Sequence, residues 1–288
     1  MERKKNQGLA DVDRLIKRID GKSEILTSTN DIVNEFNNFF VNIGPNLANT
    51  LPNGNVSHRH YLGPQIDDSL FWKPVTTAEV FNHLIGLDIK KACGHDNIPI
   101  RLLKDGAVYI SDALAYIFNL SLESGRVPDE MKIAKVTPIH KKGPTDEPGN
   151  CRPISVLPVL GKFFEKITNI RLIQFLEKNN AFYQHQYGFR KKYSTKLSNT
   201  ILKSIDEGRA TLGIFIDFKK AFDTINHEVL IHKLSHYGVR GLPLKWFKNY
   251  FEERYQFVQC EEIVSSKVKI RCGVPQGSVL GPTLFLLY

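Results

Sequence analysis

The sequence predicts a mixed α/β fold from the order in which helical and extended patterns follow one another. Residues 134–140 and 151–157 alternate between apolar and polar side chains around a loop rich in proline and glycine, which is the pattern of a strand hairpin. A continuous apolar run at 211–216 has the pattern of a buried strand and ends at Asp217. Amphipathic helical segments lie on both sides of these strands, and this order is typical of a mixed α/β class.

The helix signals place the remaining elements. A face rich in phenylalanine and isoleucine predicts a helix at 30–47. The capping box Thr76-x-x-Glu79 predicts the start of a second helix. Further helices are predicted at 109–123, 159–178, 226–236 and 242–252, strands at 257–264 and 267–271, and the start of an apolar helix at 279–288.

The first 75 residues differ from the rest of the chain in composition. They are rich in asparagine and include a Pro/Gly/His stretch at 51–65. We therefore expect an N-terminal extension and linker at 1–75, whose removal should cost the folded remainder few core contacts.

Composition and charge limit the class of protein. The 39 Lys and Arg residues outnumber the 30 Asp and Glu residues, giving a net charge of +9, which favours a polyanionic partner. The four cysteines form no C-x-x-C pair, so we expect reduced thiols of an intracellular protein and no zinc knuckle or disulfide framework. No apolar run approaches the roughly 20 residues that a membrane span needs, so we expect no membrane partner.

Two segments carry candidate chemistry. Asp217 ends the predicted buried strand, where a carboxylate is costly unless it meets a cation such as Mg²⁺. The alternative, that Asp217 is only a helix cap or turn residue, stays open on this evidence alone. In the Gly/Pro-rich string 272–282, Gln276 lies near the start of a predicted helix, a favourable place to meet a phosphate or base edge.

The same two segments carry a family resemblance. Asp217-Phe-Lys-Lys-Ala-Phe-Asp223 and Gly273-Val-Pro-Gln-Gly-Ser-Val-Leu-Gly-Pro282 resemble the first and second palm motifs of reverse transcriptases. Residues 138–143 and 150–155 resemble the fingers motifs, and Asp223-Thr-Ile-Asn-His227 fits the non-LTR, jockey-like lineage. The resemblance covers nearly the whole chain, in order. It implies a right-hand polymerase fold with fingers at 76–209 and a partial palm at 210–288, and RNA-directed DNA polymerase activity.

The resemblance also implies roles for individual residues. Asp217 would be the catalytic carboxylate and, with the carbonyl of Phe218, a ligand of Mg²⁺ (or Mn²⁺). Two such ions would align the attacking and leaving oxygens of nucleotidyl transfer.

Four other positions would bind the incoming nucleotide. Arg152 would grip the triphosphate, assisted by Lys141 or, almost equally well, by Lys142. Phe222 would pack under the sugar and exclude a 2′-OH, and Gln276 would contact the nucleotide or template.

A basic, aromatic stretch is the predicted nucleic-acid-binding surface. Residues 178–205 contain no Asp or Glu but several Lys and Arg residues interleaved with Phe and Tyr. The predicted contacts are Arg190, Lys191, Lys192 and Lys196. The alternative is a solvated basic face.

The expected third palm motif, an aromatic residue followed by Ala-Asp-Asp, does not occur after Gly277. We therefore expect a fragment or a decayed copy that is catalytically incomplete by itself. The alternatives are a non-catalytic nucleic-acid-binding remnant and a group II intron maturase-like RNA-binding protein. The implied partners are an RNA template, a DNA primer and dNTPs, with no inferable protein partner, and the family implies a nuclear location.

Overall fold

The computed structural model of the chain describes residues 12–19, 22–50, 56–183, 185–190, 193–212, 214, 218 and 220–288, with the side chains at 19, 194, 196 and 197 outside that description. The helices are α1 (Thr29–Asn49), α2 (Thr77–Ile85), α3 (Ile100–Asp105), α4 (Ala107–Ser124), α5 (Val159–Lys178), α6 (Tyr193–Asp206), α7 (His227–His236), α8 (Gly241–Phe251) and α9 (Gly281–Leu287). The strands are β1 (Leu15–Ile19), β2 (Lys22–Leu26), β3 (Ile133–His140), β4 (Cys151–Val156), β5 (Tyr255–Cys260), β6 (Ile263–Val264) and β7 (Val268–Lys269).

One sheet joins two distant parts of the chain. Strand β3 pairs with β4 as an antiparallel hairpin, with Val136 opposite Ser155 and Ile139 opposite Arg152. On its other edge β3 pairs in parallel with β5, which in turn pairs with β6 and β7. A parallel pair needs a long crossover, and helices α5 to α8 lie along it. The predicted mixed α/β class is confirmed.

The larger hydrophobic core is formed by helices, with aromatic rings at its centre. The Phe118 ring of α4 stacks on Phe164 of α5 with their centroids 4.4 Å apart. Trp246 of α8 lies edge-on to Phe164 and stacks on Tyr250. These contacts explain why the apolar faces of α4, α5 and α8 are recognisable in the sequence.

Helix α1 forms a second core against the sheet. Its buried residues Phe36 and Phe40 share this core with Val136 of β3 and Val258 of β5. The buried Asn37 is fully hydrogen-bonded here: its amide donates to the Ser266 carbonyl at 2.8 Å, and its carbonyl accepts from the Gln256 side chain at 3.1 Å. Both apolar burial and amide pairing therefore attach α1 to the sheet.

This packing is contrary to the expectation that residues 1–75 are a dispensable extension. Besides α1, Leu70 and Val75 are buried in the larger core. The Arg240 guanidinium donates hydrogen bonds to backbone carbonyls of residues 66–68. Removing the segment would therefore expose one face of the sheet and unpair several polar groups.

The predicted helix starts are largely confirmed, with one difference at α2. The Thr76 hydroxyl accepts the Glu79 N–H at 3.1 Å, as a capping box requires. The Glu79 carboxylate turns away from Thr76 and forms a two-point ion pair with Arg171 of α5, at 2.9 and 3.0 Å. The Glu79 half of the capping box is therefore replaced by a tertiary ion pair with Arg171.

The buried strand predicted at 211–216 is not observed at the residues that are described. Leu212 is 88% exposed and Ile214 is 81% exposed, and neither lies in a strand. Residues 213 and 215–217 lie outside the described part of the chain. An apolar run forms a strand only where a neighbouring strand takes up its backbone hydrogen bonds, and none of the described strands pairs with residues 211, 212 or 214.

Candidate functional site

A tight turn before α9 organises the candidate site. Gly273 and Gly277 have φ values of +82° and +120°, which glycine adopts without steric cost. The buried Ser278 hydroxyl donates to the Pro275 carbonyl and accepts the Gly281 N–H, so it closes the turn and begins α9. The Gly/Pro string recognised in the sequence is therefore a structured turn.

Backbone hydrogen bonds join this turn to the segment that begins at Phe222. The Val274 N–H donates to the Phe222 carbonyl at 2.8 Å, and the Gly273 N–H donates to the Ile225 carbonyl at 2.7 Å. His227 Nε2 donates to the Gly273 carbonyl at 2.7 Å. Burial lowers the pKa of His227, in keeping with a neutral imidazole. Two segments about 50 residues apart thus form one unit.

A side-chain pair completes the junction. The Nε2 atom of Gln276 donates to both carboxylate oxygens of Asp223, at 2.9 Å each. Burial raises the pKa of the Asp223 carboxyl, while the hydrogen bond from Gln276 and the charge of Lys220 oppose that shift. The pair holds one of the predicted nucleotide contacts, Gln276, against a carboxylate to which no role was assigned from the sequence.

The other side of the turn rests on β4 and α5. The Ser155 N–H donates to the Gln276 carbonyl at 2.7 Å. The buried carboxylate of Glu165 accepts the Val279 N–H at 2.6 Å and the Tyr250 hydroxyl at 2.6 Å. Burial raises the pKa of Glu165, and the charge of Arg254 and these hydrogen bonds oppose the shift. The main chain of the turn is therefore held from two directions.

Helix α1 closes the site from behind. A Cβ atom at Gly44 would overlap the Asp223 carbonyl oxygen and the Cys272 sulfur. Phe40 of α1 also helps to line a cavity of about 30 Å³ beside Asp223 and Gln276. That volume suits a water molecule and is far below the roughly 300 Å³ or more of a small-ligand pocket. A nucleotide would have to bind outside this cavity.

Aromatic rings lie next to the pair. The Phe222 ring is 5.4 Å from Phe285 of α9 and 6.0 Å from Phe189, centroid to centroid. Phe218 is 65% exposed, and its ring is 6.3 Å from Phe285. The main chain of Phe222 is therefore bonded to the turn that carries Gln276, and its half-buried ring packs with Phe189 and Phe285.

Arg152 and Lys141 lie on the hairpin, separate from the Asp223–Gln276 pair. Pro153 and Ser155 line the cavity beside the pair. Alternation along β4 points Arg152 to the opposite face, where it is exposed. Lys141 and Lys142 are exposed at the hairpin loop. In the described part of the chain, no hydrogen bond joins any of these three cations to Gln276, whose side chain is paired with Asp223.

Arg190 has a structural environment that does not fit the predicted phosphate contact. Its side chain is only 5% exposed and forms an ion pair with Glu177 at 2.8 Å. It also donates to the Tyr183 carbonyl and stacks over the Tyr193 ring at 3.6 Å. A guanidinium with these partners holds the segment together, so Arg190 does not enter the interface proposed below.

Four of the predicted site residues lie wholly or partly outside the described part of the chain. Asp217, Lys191 and Lys192 lie outside the described residues, and so does the side chain of Lys196. Within the described ranges no group of three or more His, Cys, Asp or Glu side chains is arranged to hold a metal ion.

Within the same ranges, no helix is both long and apolar enough to cross a membrane.

Residues of the site that were not predicted include Gly44, Glu165, Asp223 and His227. Asp223 and His227 are the two ends of the string Asp223-Thr-Ile-Asn-His227, which resembles the non-LTR lineage. A carboxyl and an imidazole without an assigned role inside that string were the signal by which they could have been found. Gly44 ends the string Phe39-Phe40-Val-Asn-Ile-Gly44, which also resembles the non-LTR lineage, but no role was assigned to it. Glu165 gave no signal, because it lies inside a helix and accepts from Val279, 114 residues away.

Comparison with known proteins finds similarity to reverse transcriptases. The family model described as reverse transcriptase (RNA-dependent DNA polymerase) matches residues 139–288. The chain is 37% identical over 238 residues to the RNA-directed DNA polymerase from mobile element jockey of Drosophila melanogaster, covering 79% of this chain and 25% of that protein.

Two further relatives from Drosophila melanogaster are the probable RNA-directed DNA polymerases from transposon BS and transposon X-element. They are 34% and 32% identical, over 76% and 75% of this chain and 25% and 24% of their own lengths. The chain therefore spans about a quarter of the length of these curated relatives.

Proposed function

The chain belongs to the reverse transcriptase (RNA-dependent DNA polymerase) family, and from that premise we propose that it is part of the RNA-directed DNA polymerase of a non-LTR, jockey-like mobile element. The reaction is attack of a primer 3′-OH on the α-phosphate of a dNTP, directed by an RNA template. The observation that carries the proposal is the union of the 222–227 and 272–279 segments through hydrogen bonds, which brings Phe222 and Gln276 to one junction.

The nucleotide-binding roles follow from the chemistry of the side chains. A flat apolar ring at Phe222 suits the face of a deoxyribose and disfavours a 2′-OH, which would lose its water against it. Arg152 and Lys141 are exposed on the hairpin, apart from the Asp223–Gln276 pair, so they suit phosphates of a nucleotide that extends beyond the small cavity. The first would act as a two-pronged donor and the second as a point charge. Gln276 offers an amide fixed by Asp223.

A divalent cation, Mg²⁺ or Mn²⁺, would supply Lewis-acid charge stabilisation when bound. The proposed ligands are Asp217 and the Phe218 carbonyl, whose oxygen atoms suit a hard cation. We do not include Asp223 in that set, because both of its carboxylate oxygens accept from Gln276.

We place the fingers at 76–209 and the palm part at 210–288. The two share one sheet, because β3 of the fingers pairs with β5 of the palm. The N-terminal part with α1 supports both. The proposed partners are an RNA template, a DNA primer and dNTPs, with nuclear chromosomal DNA as the source of the primer. Lys191, Lys192 and Lys196 are the proposed contacts to the nucleic-acid backbone.

Primer extension tests this function. The full-length protein that carries this sequence should elongate a DNA primer on an RNA template, adding the dNTPs that the template specifies. The matched control replaces the RNA template by one whose sequence directs a different first nucleotide, and the incorporated nucleotide should change with it. Salt-dependent RNA binding without any incorporation would instead support the non-catalytic remnant.

A further inference from the structure

The side-chain amide of Gln276 has an NH₂ group that donates and a carbonyl oxygen that accepts, and the neighbouring Asp223 carboxylate determines which of the two faces it. An ionised carboxylate only accepts hydrogen bonds, whereas an amide has a donor end and an acceptor end. The Gln276 Nε2 atom lies 2.9 Å from each carboxylate oxygen of Asp223. With the amide reversed, its carbonyl oxygen would face the same carboxylate, and two acceptors would be in contact.

Asp223 is itself held at its main chain. Its N–H donates to the Lys220 carbonyl at 2.9 Å. Its carbonyl accepts from the Cys272 thiol at 3.4 Å. The same carbonyl lies so close to Gly44 of α1 that a Cβ atom there would overlap it. The carboxylate therefore presents a fixed acceptor to Gln276.

Gln276 is held at its main chain as well, by the Ser155 N–H. With its main-chain carbonyl and its Nε2 atom both engaged, the side-chain carbonyl Oε1 of Gln276 has no hydrogen-bond partner among the residues that the structure describes. An amide that is fixed before the ligand binds loses less conformational freedom on binding.

We propose that Asp223 is a positioning residue of the nucleotide site, which fixes the Gln276 amide so that its carbonyl oxygen, rather than its amino group, is offered to the ligand. The proposal rests on the proposed function of Gln276 as a nucleotide contact. Asp223 acts through Gln276 and does not touch the nucleotide.

A double-mutant cycle in the full-length polymerase tests this. Asp223→Asn gives Gln276 a partner that can accept or donate, so the amide orientation is no longer selected. We expect the dNTP KM to rise roughly tenfold, as for loss of one charged hydrogen bond, with kcat within about threefold. In the presence of Gln276→Ala, the same Asp223→Asn change should have little further effect on KM.

Asp206→Asn, at an exposed carboxyl at the end of α6, is the matched control and should leave KM unchanged. Additive effects of Asp223→Asn and Gln276→Ala on KM would overturn the proposal, because Asp223 would then act independently of Gln276. A fall in kcat alone would overturn it as well.

A second measurement does not depend on activity. In this chain labelled with ¹⁵N, the side-chain NH₂ resonances of Gln276 should shift on Asp223→Asn, while those of Asn37, which is paired elsewhere, should not. Unchanged Gln276 resonances would overturn the proposal. Absence of primer extension by the unmutated protein, together with the expected shift, would instead contradict the proposed function and leave the pair established.

Discussion

Replacing Asp217 by Asn should reduce RNA-templated primer extension by the full-length protein by about three orders of magnitude or more. A neutral amide is a poor ligand for a hard cation, and loss of metal charge stabilisation costs several kcal/mol in the transition state, where about 1.4 kcal/mol is tenfold in rate. The contrast with Asp223 is specific: its carboxylate serves Gln276, so its loss should affect nucleotide binding and largely spare the rate of chemistry.

The matched control for this change is Asp67→Asn. Asp67 is an exposed carboxyl in the segment before α2, and its replacement should leave primer extension unchanged. Activity of the Asp217→Asn protein within about tenfold of the unmutated protein would show that Asp217 is a turn residue with no metal to hold.

Gly44→Ala should destabilise the chain by about 1–3 kcal/mol, the usual cost of overpacking. In an ordinary helix interior the same change stabilises by about 0.5–1 kcal/mol, so the expected sign is reversed. The reason is that the added methyl group would overlap the Asp223 carbonyl and the Cys272 sulfur. Helix α1 and the main chain at Asp223 must then move apart.

Denaturant unfolding of the two glycine variants decides this point. Gly161→Ala in α5 is the control, because its methyl group would meet Met131 at an ordinary 3.4 Å. Gly161→Ala should be neutral or slightly stabilising. Stabilisation of similar size by both changes would show that α1 does not pack against Asp223 as described.

Local sequence patterns predicted the helices well, because an amphipathic face and its caps are encoded within a few residues. The bounds of α5 and α7 were obtained within one residue. The β3–β4 hairpin could be predicted equally well, since alternating apolar and polar residues around a Pro/Gly loop define it.

Features that depend on distant partners were missed or misassigned. The basic stretch at 178–205 has no acid of its own, but Glu177, immediately before it, takes Arg190. The asparagine-rich α1 was assigned to an extension because of its composition and the Pro/Gly/His stretch that follows it, whereas Asn37 pairs with Gln256 and Ser266 in the interior. No window of local sequence contains these pairs.

Only part of the candidate site could be predicted from the sequence, for the same reason. The motifs indicated which segments carry the chemistry, and Gln276 was identified from its turn. The groups that hold the turn in place, Asp223 and Glu165, reach it across 53 and 114 residues of chain. Their contribution follows from tertiary hydrogen bonds and not from residue type.

The central claim is that this chain carries the nucleotide-selecting side of a DNA polymerase, and sugar selection by the full-length protein tests it most directly. Phe222→Ala removes the ring proposed to exclude a 2′-OH. The ratio of kcat/KM for a ribonucleotide to that for the matching deoxyribonucleotide should rise at least about tenfold, corresponding to about 1.4 kcal/mol. Phe71→Ala, at an 80% exposed ring outside the site, should leave the ratio unchanged. An unchanged ratio in Phe222→Ala protein that still incorporates deoxyribonucleotides would contradict the claim.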